Sequence, residues 1–262
     1  MAMKRIRSLL ILLAVGLCIY SVPAFAIDIP VSTELLLLVD VSGSVSASEY
    51  ALQKTGYVNA FTNPTIQNTI SGLPGGIAVA YAEWAVGQKP QVNFTHLTDA
   101  TSANAFAAAI AAASRATSGS PDNIGENTAP GSAIQWGRGL FADNGFAGAN
   151  VIDVSGDGDQ NTGTNTFGQA TAAHAQGITI NGLPILGDPL SPDLQDFYQD
   201  DIVTPGGGFM IIANGFDDFG DAVAQKIARE VQQPIPEPAT MLLLGSGLIG
   251  LAGFARRKIF KK

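Results

Sequence analysis

From Glu34 to Asp40 the chain reads Glu-Leu-Leu-Leu-Leu-Val-Asp, an apolar run of strand length closed at each end by a carboxylate. No polar residue alternates with the apolar ones inside it, so both of its faces must be buried. A strand buried on both faces belongs in a parallel sheet with helices above and below. The remaining sequence supplies those layers. A helix is expected from Ala47 to Phe61, opened by a capping box in which Ser46 is followed three residues on by Glu49. Strands follow at Ile77 to Trp84 and Gln91 to Leu97, joined through Gly87 and Pro90, then an Ala-rich helix from Asn104 to Arg115 and another from Gly131 to Phe141. Next come a buried strand at Val151 to Ser155, a helix at Phe167 to Gln176 and a strand at Ile178 to Ile185. A short helix at Leu194 to Asp200, a strand at Phe209 to Ala213 and a last helix at Phe216 to Val231 complete the pattern. Strand and helix alternate, which predicts an α/β fold: a doubly wound, mostly parallel sheet with helices on both faces.

Ligands of such sheets collect beyond the carboxyl ends of the strands. After the first strand, Asp40-Val-Ser-Gly-Ser44 sets one carboxylate and two hydroxyls at alternate positions, and Gly43 lets the backbone turn tightly between them. Thr128 adds a hydroxyl three residues before Gly131. Gly156-Asp157-Gly158 adds a second carboxylate at the end of the Val151 to Ser155 strand. Asp40, Ser42, Ser44, Thr128 and Asp157 are therefore candidate metal ligands, all of hard oxygen. Such a set suits Mg²⁺, Mn²⁺ or Ca²⁺ rather than zinc or copper.

Asp-x-Ser-x-Ser at 40 to 44, Thr128 and Asp157-Gly158 resemble the metal-ion-dependent adhesion site of von Willebrand factor A domains. More narrowly, Leu38-Val-Asp-Val-Ser-Gly-Ser44, Ala82-Glu-Trp84, Ile152-Asp-Val-Ser-Gly-Asp-Gly158 and Ile180-Asn-Gly-Leu-Pro-Ile185 resemble a bacterial A-domain family of unknown function, over Glu34 to Val231. The resemblance implies that Ser42, Ser44 and Thr128 bind the ion through neutral hydroxyls, with Asp40 and Asp157 close by and often acting through water. An ion with so few bound anions stays electrophilic and keeps a position for a partner's carboxylate. The resemblance also implies that such a domain can switch between two states through its last helix, here Phe216 to Val231.

Other polar residues carry weaker signals. Asp157, Asp159 and Asn161 alternate as in a calcium loop, but the glycine falls at 163 and position 168 is Gly168 instead of a bidentate glutamate. Asp159 and Asn161 are left as a possible metal rim or a plain Asx-rich loop. Asp153 lies within a strand expected to be buried, so it needs a partner. Glu83 and Trp84 end another strand, as groups supporting the site or as core. His96 and His174, the only histidines, are expected at the surface.

The ends of the chain speak of export. Lys4, Arg5 and Arg7 precede the apolar run Leu9 to Val22, and Ala24-Phe25-Ala26 offers a cleavage site, so residues 1–26 read as a signal peptide. Cys18, the single cysteine, lies inside it, which leaves the mature domain without disulfide, Cys-ligated metal or Cys nucleophile. At the other end, Pro236-Glu237-Pro238 precedes an uncharged apolar run, Ala239 to Ala255, and then Arg256, Arg257, Lys258, Lys261 and Lys262. The run is at the lower end of what spans a hydrocarbon core of ~30 Å, and the basic tail should remain in the cytoplasm. Triplet, run and tail together resemble the PEP-CTERM sorting signal of Gram-negative bacteria, which implies recognition by an exosortase and an association with exopolysaccharide. The expected organisation is thus signal peptide 1–26, domain 27–233 and sorting signal 234–262, with a transmembrane helix at about 239–255. The chain would be anchored in the inner membrane facing the periplasm, then released or relinked at the surface after processing.

Between Ile27 and Gln233, six Lys and Arg stand against 21 Asp and Glu, a formal charge of −15. That surface repels nucleic acid and anionic lipid. No Gly-x-Ser-x-Gly elbow, phosphate-binding loop or His-Glu-x-x-His helix occurs. Three readings follow: a metal-dependent adhesion module whose ion meets an acidic group on a protein or polysaccharide, a matrix component with a stabilising ion, and a metal hydrolase needing a base such as Asp159 or Glu83. The first, a non-enzyme, is the expectation.

Overall fold

The apolar run lies in the middle of a five-stranded sheet. Its strand, β1 (Ile29–Asp40), is followed by α1 (Ala47–Thr62), α2 (Pro64–Gly72), β2 (Ile77–Trp84), β3 (Gln88–Leu97), α3 (Ala100–Ala112), α4 (Pro130–Arg138) and β4 (Phe146–Gly156). Then come α5 (Thr166–Ala175), β5 (Thr179–Pro184), α6 (Pro192–Phe197), a π-helical turn at Tyr198–Ile202 and α7 (Phe219–Glu230). The computed structural model describes residues 28–232 except 117–121, 188–190 and 204–207. The expected signal peptide, the Pro236-Glu237-Pro238 triplet, the transmembrane helix at 239–255 and the basic residues Arg256 and Arg257 lie outside the described residues. Among the described residues no helix is long and apolar enough to cross a membrane.

The strand order is β3-β2-β1-β4-β5. β1 pairs in parallel with both β2 and β4, and β4 pairs in parallel with β5. β3 runs antiparallel to β2 because the link from Trp84 to Gln88 is too short for a crossover. From β1 the chain first builds outward to β2 and β3, then returns to add β4 on the other side. The sheet is therefore doubly wound and mostly parallel, and the place where its order reverses lies between β1 and β4.

Alternate residues of β1 enter opposite layers, as a strand's period of two demands. Leu35, Leu37 and Val39 pack with Tyr57 and Phe61 of α1, Phe106 of α3 and Phe219, Val223 and Ile227 of α7. Leu36 and Leu38 pack with Ile134 of α4, Ala170 and Ala173 of α5 and Tyr198. Each of these leucines is fully buried, and such burial stabilises by roughly 2 kcal/mol apiece.

The local signals mostly hold. Ser46 and Glu49 form the capping box, with the Glu49 amide donating to Ser46 Oγ at 3.3 Å and the Ser46 amide donating to Glu49 Oε2 at 2.7 Å. Helix α2 was not foreseen, although Asn63 caps it and Pro64 occupies its first turn. The expected strand at Phe209 to Ala213 reduces to two parallel bridges along β5, Gly182 with Met210 and Ile185 with Ala213. The expected helix at Leu194 to Asp200 divides into α6 and the π turn.

Candidate metal site

Asp40, the last residue of β1, is fully buried. Its Oδ1 accepts the Ser42 amide at 2.8 Å, while Oδ2 has no hydrogen-bond partner. From there a polar chain runs outward: Ser42 Oγ lies 3.1 Å from Ser44 Oγ, and Ser44 Oγ donates to Asp157 Oδ1 at 2.6 Å. Asp157 follows β4 directly, so residues 113 apart in sequence meet because β1 and β4 are neighbours. Ser42 is buried and Ser44 exposed, which leaves the cluster open to solvent on the Ser44 side.

Thr128, buried ahead of α4, is brought against the same turn: a Cβ added at Gly158 would lie 3.5 Å from Thr128 Oγ1. Asn161 holds it there. The Thr128 amide donates to Asn161 Oδ1 at 2.9 Å, the Asn161 amide donates to the Thr128 carbonyl at 3.1 Å, and Asn161 Nδ2 reaches Thr128 Oγ1 at 3.4 Å. Asn161 is thus spent on positioning Thr128. Asp159 is exposed and hydrogen-bonds to none of these groups. Gly131 permits the interlock of the two loops, since a Cβ there would meet the Thr164 carbonyl at 2.0 Å.

Two residues that sequence reasoning did not place at the site hold its first loop. The Arg115 guanidinium donates to the carbonyls of Val41, Ser42 and Val45 at 3.1, 3.3 and 2.6 Å. The Gly43 amide donates to the Glu126 carbonyl at 2.7 Å. Glu83 is fully buried and fully engaged: Oε1 accepts from Tyr50 Oη at 2.7 Å, and Oε2 accepts from Gln91 Nε2 and the Ala116 amide, both at 2.8 Å. It fixes the residue beside Arg115, and both of its oxygens accept hydrogen bonds. Trp84 is core. His174 is exposed as expected, whereas His96 is half-buried, its Nε2 2.7 Å from the Gly75 carbonyl.

Electrostatics make the empty-handed pair costly. Burial, and then the charge of Asp157, push the Asp40 carboxyl up to about 7, against the pull of the Ser42 amide. Burial also raises Asp157, opposed by its bond from Ser44. Burial pushes both carboxyls toward protonation, and the charge of Asp157 adds to it at Asp40, so a cation would relieve them. The orphaned Asp40 Oδ2, the three hydroxyls and the glycines flanking Asp157 fit a small hard ion. Among the described residues no three His, Cys, Asp or Glu side chains converge as a metal site, because here most of the donors are hydroxyls.

The expected partner of Asp153 is present at mid-sheet. Lys226 pairs with Asp153 and lies 2.8 Å from Glu230 Oε1, all three fully buried, while Asn181 Nδ2 donates to Glu230 Oε1 at 2.9 Å.

Comparison with solved structures places this fold among von Willebrand factor A-type domains. Proximal thread matrix protein 1 of the mussel byssus superposes with a TM-score of 0.56 at 15% identity, over 77% of this chain and 48% of that one; one of its structures has a zinc-occupied MIDAS motif. The pilus adhesin SpaC of Lactobacillus rhamnosus GG gives 0.54 at 16% identity, over 76% of this chain and 30% of that one. A von Willebrand factor type A protein of Catenulispora acidiphila gives 0.53 at 14% identity, over 76% and 43%. The chain spans about half or less of the length of these three. No curated protein sequence matches it. Residues 234–258 match the PEP-CTERM protein-sorting motif, the signature of a chain exported and sorted to the cell envelope. Residues 30–235 match the model of the protein family of unknown function DUF1194, and the chain belongs to that family.

Proposed function

We propose that this is an exported binding protein that holds one divalent cation through Ser42, Ser44 and Thr128, with Asp40 and Asp157 beside it, and presents that cation to an acidic group on a protein or polysaccharide outside the cell. The observation that carries the reading is the chain Asp40, Ser42, Ser44, Asp157, which runs from a fully buried carboxylate with an unpartnered oxygen to an exposed hydroxyl. A bound cation would supply a Lewis-acidic centre. The protein's own groups do the rest: Arg115 and the Glu126 carbonyl hold the loop, and Asn161 aims Thr128. Mg²⁺ or Mn²⁺ suits the oxygen set, and the mussel relative adds Zn²⁺ to the ions worth testing. The sorting motif supports recognition by an exosortase and passage through the inner membrane before display.

The test is calorimetric titration of Mg²⁺, Mn²⁺ and Zn²⁺ into the purified protein, with Asp40→Ala and Asp157→Ala alongside. Saturable one-site binding lost in both variants is expected, together with ion-dependent retention of acidic polysaccharide or protein. Binding that survives both substitutions, or no binding at millimolar ion, would sink the reading. An ion that raises thermal stability without enabling capture of an acidic partner would identify a matrix body stabilised by its metal, a role favoured by the depth of Asp40.

A further inference from the structure

Asp40 Oδ2 is not the only orphan at this end of the sheet. Tyr198 is fully buried, and its hydroxyl likewise has no hydrogen-bond partner. Both atoms border one point. A Cβ added at Gly156 would lie 2.7 Å from Asp40 Oδ2 and 2.9 Å from Tyr198 Oη, so the two oxygens are separated by no more than the sum of those distances.

The approach of the tyrosine is built into the chain. Its ring passes close over β5, where a Cβ at Gly182 would come within 2.9 Å of Cδ1, and glycine removes that obstacle. The hydroxyl then ends over Gly156, where glycine removes a second. Tyr198 also begins the π-helical turn, whose wider winding is closed by the Val203 amide donating to the Tyr198 carbonyl at 3.0 Å. Such turns often mark functional positions. An apolar layer gains nothing from a buried unpaired hydroxyl, which is destabilising relative to a satisfied one. The neighbouring orphan is a carboxylate oxygen, an acceptor in need of a donor.

We propose that Tyr198 is a positioning residue of the cation site, its hydroxyl serving Asp40 Oδ2 across the space over Gly156, directly or through one bridging water. With the Ser42 amide on Oδ1, this donor fixes both oxygens of Asp40 and holds the carboxylate plane toward Ser42 and Ser44. Outer partners of this kind orient ligands and set metal affinity. The proposal rests on the cation reading for its effect on binding, but the contact itself does not.

Urea unfolding of the full chain in ion-free buffer, as a double-mutant cycle of Tyr198→Phe and Asp40→Ala, decides the contact. The shift caused by Tyr198→Phe should be lost or reversed in the Asp40→Ala background; shifts that simply add would overturn the proposal. Mn²⁺ titration then reads the consequence. Tyr198→Phe, which keeps the ring, should weaken Mn²⁺ binding about 10- to 100-fold, and unchanged affinity would overturn the positioning role. If the wild-type chain binds no Mn²⁺ while the cycle shows coupling, the contact stands and the cation function falls.

Discussion

Two pairs of carboxylates lie at the sheet, one fully buried and one reaching the solvent, and the protein treats them in opposite ways. Asp153 and Glu230 receive a cation from the chain itself: Lys226 lies between them, fully buried, and Asn181 adds a donor. Asp40 and Asp157, at the carboxyl ends of the neighbouring strands β1 and β4, receive hydroxyls and amides but no ammonium or guanidinium within salt-bridge reach among the described residues. Arg115 is close enough to favour the charged form of Asp157, yet its hydrogen bonds go to backbone carbonyls. Where charge serves the fold, the counterion is covalently part of the chain. Where it is left open toward solvent, the chain supplies no counterion of its own within reach among the described residues.

The sharpest way to break this comparison is to remove the internal cation. Lys226→Met leaves two buried carboxylates without compensation and should cost about 3–5 kcal/mol, read as a lower urea midpoint at pH 8. An unchanged midpoint would mean that the cluster is not held by its charge. A smaller effect should come from protons. Burial, then the charge of Asp153, push the Glu230 carboxyl up to about 7 against the pull of Lys226 and Asn181. A carboxyl raised in the folded state contributes stability that is present below its unfolded value near 4.5 and is lost as pH rises through about 7. The ion-free protein should therefore weaken between pH 4.5 and 8, by up to about 3 kcal/mol from this group. Glu230→Gln should make the profile shallower, leaving the share of Asp40, which is also raised to about 7, and a profile as steep as wild type would exclude Glu230 as a source. The smallest effect is expected at the open pair's support: Asn161→Ala strips Thr128 of its side-chain partners and should cost about 1 kcal/mol while weakening cation binding roughly tenfold. Equal cation affinity in variant and wild type would return Asn161 to the status of a simple loop residue.

Much of this was legible in the chain. The Leu35 to Val39 run specified a central strand because no single-faced strand accommodates five consecutive apolar residues, and the burial of both faces of β1 confirms it. The convergence of Asp40, Ser42, Ser44 and Asp157 was legible because each stands at a strand's carboxyl end, and topology brings such ends together. Tyr198 was not, since a tyrosine in a short amphipathic helix looks like core until two glycines on separate strands are seen to clear its path. Arg115 was hidden for a similar reason: its hydrogen bonds go to carbonyls some 70 residues earlier, and backbone acceptors leave no mark in a sequence. Asn161 was noticed only for its place in a calcium-like alternation, and its bracketing of Thr128 left no mark in the sequence. The Lys226 cluster was half visible, for a buried Asp153 required a partner that only the docking of α7 could supply.

Strand β3 bears on how such a chain behaves in company. Its outer edge faces no other strand of the sheet, and Pro90 lies within it, opposite Ala82. Proline offers no N–H to an arriving strand, and the adjacent Lys89, paired with Asp122 at 2.8 Å, sets a charged side chain beside it. At the far edge the bridges from Met210 and Ala213 already occupy part of β5. Neighbouring copies are thus denied the easiest route to stacking edge on edge through the backbone.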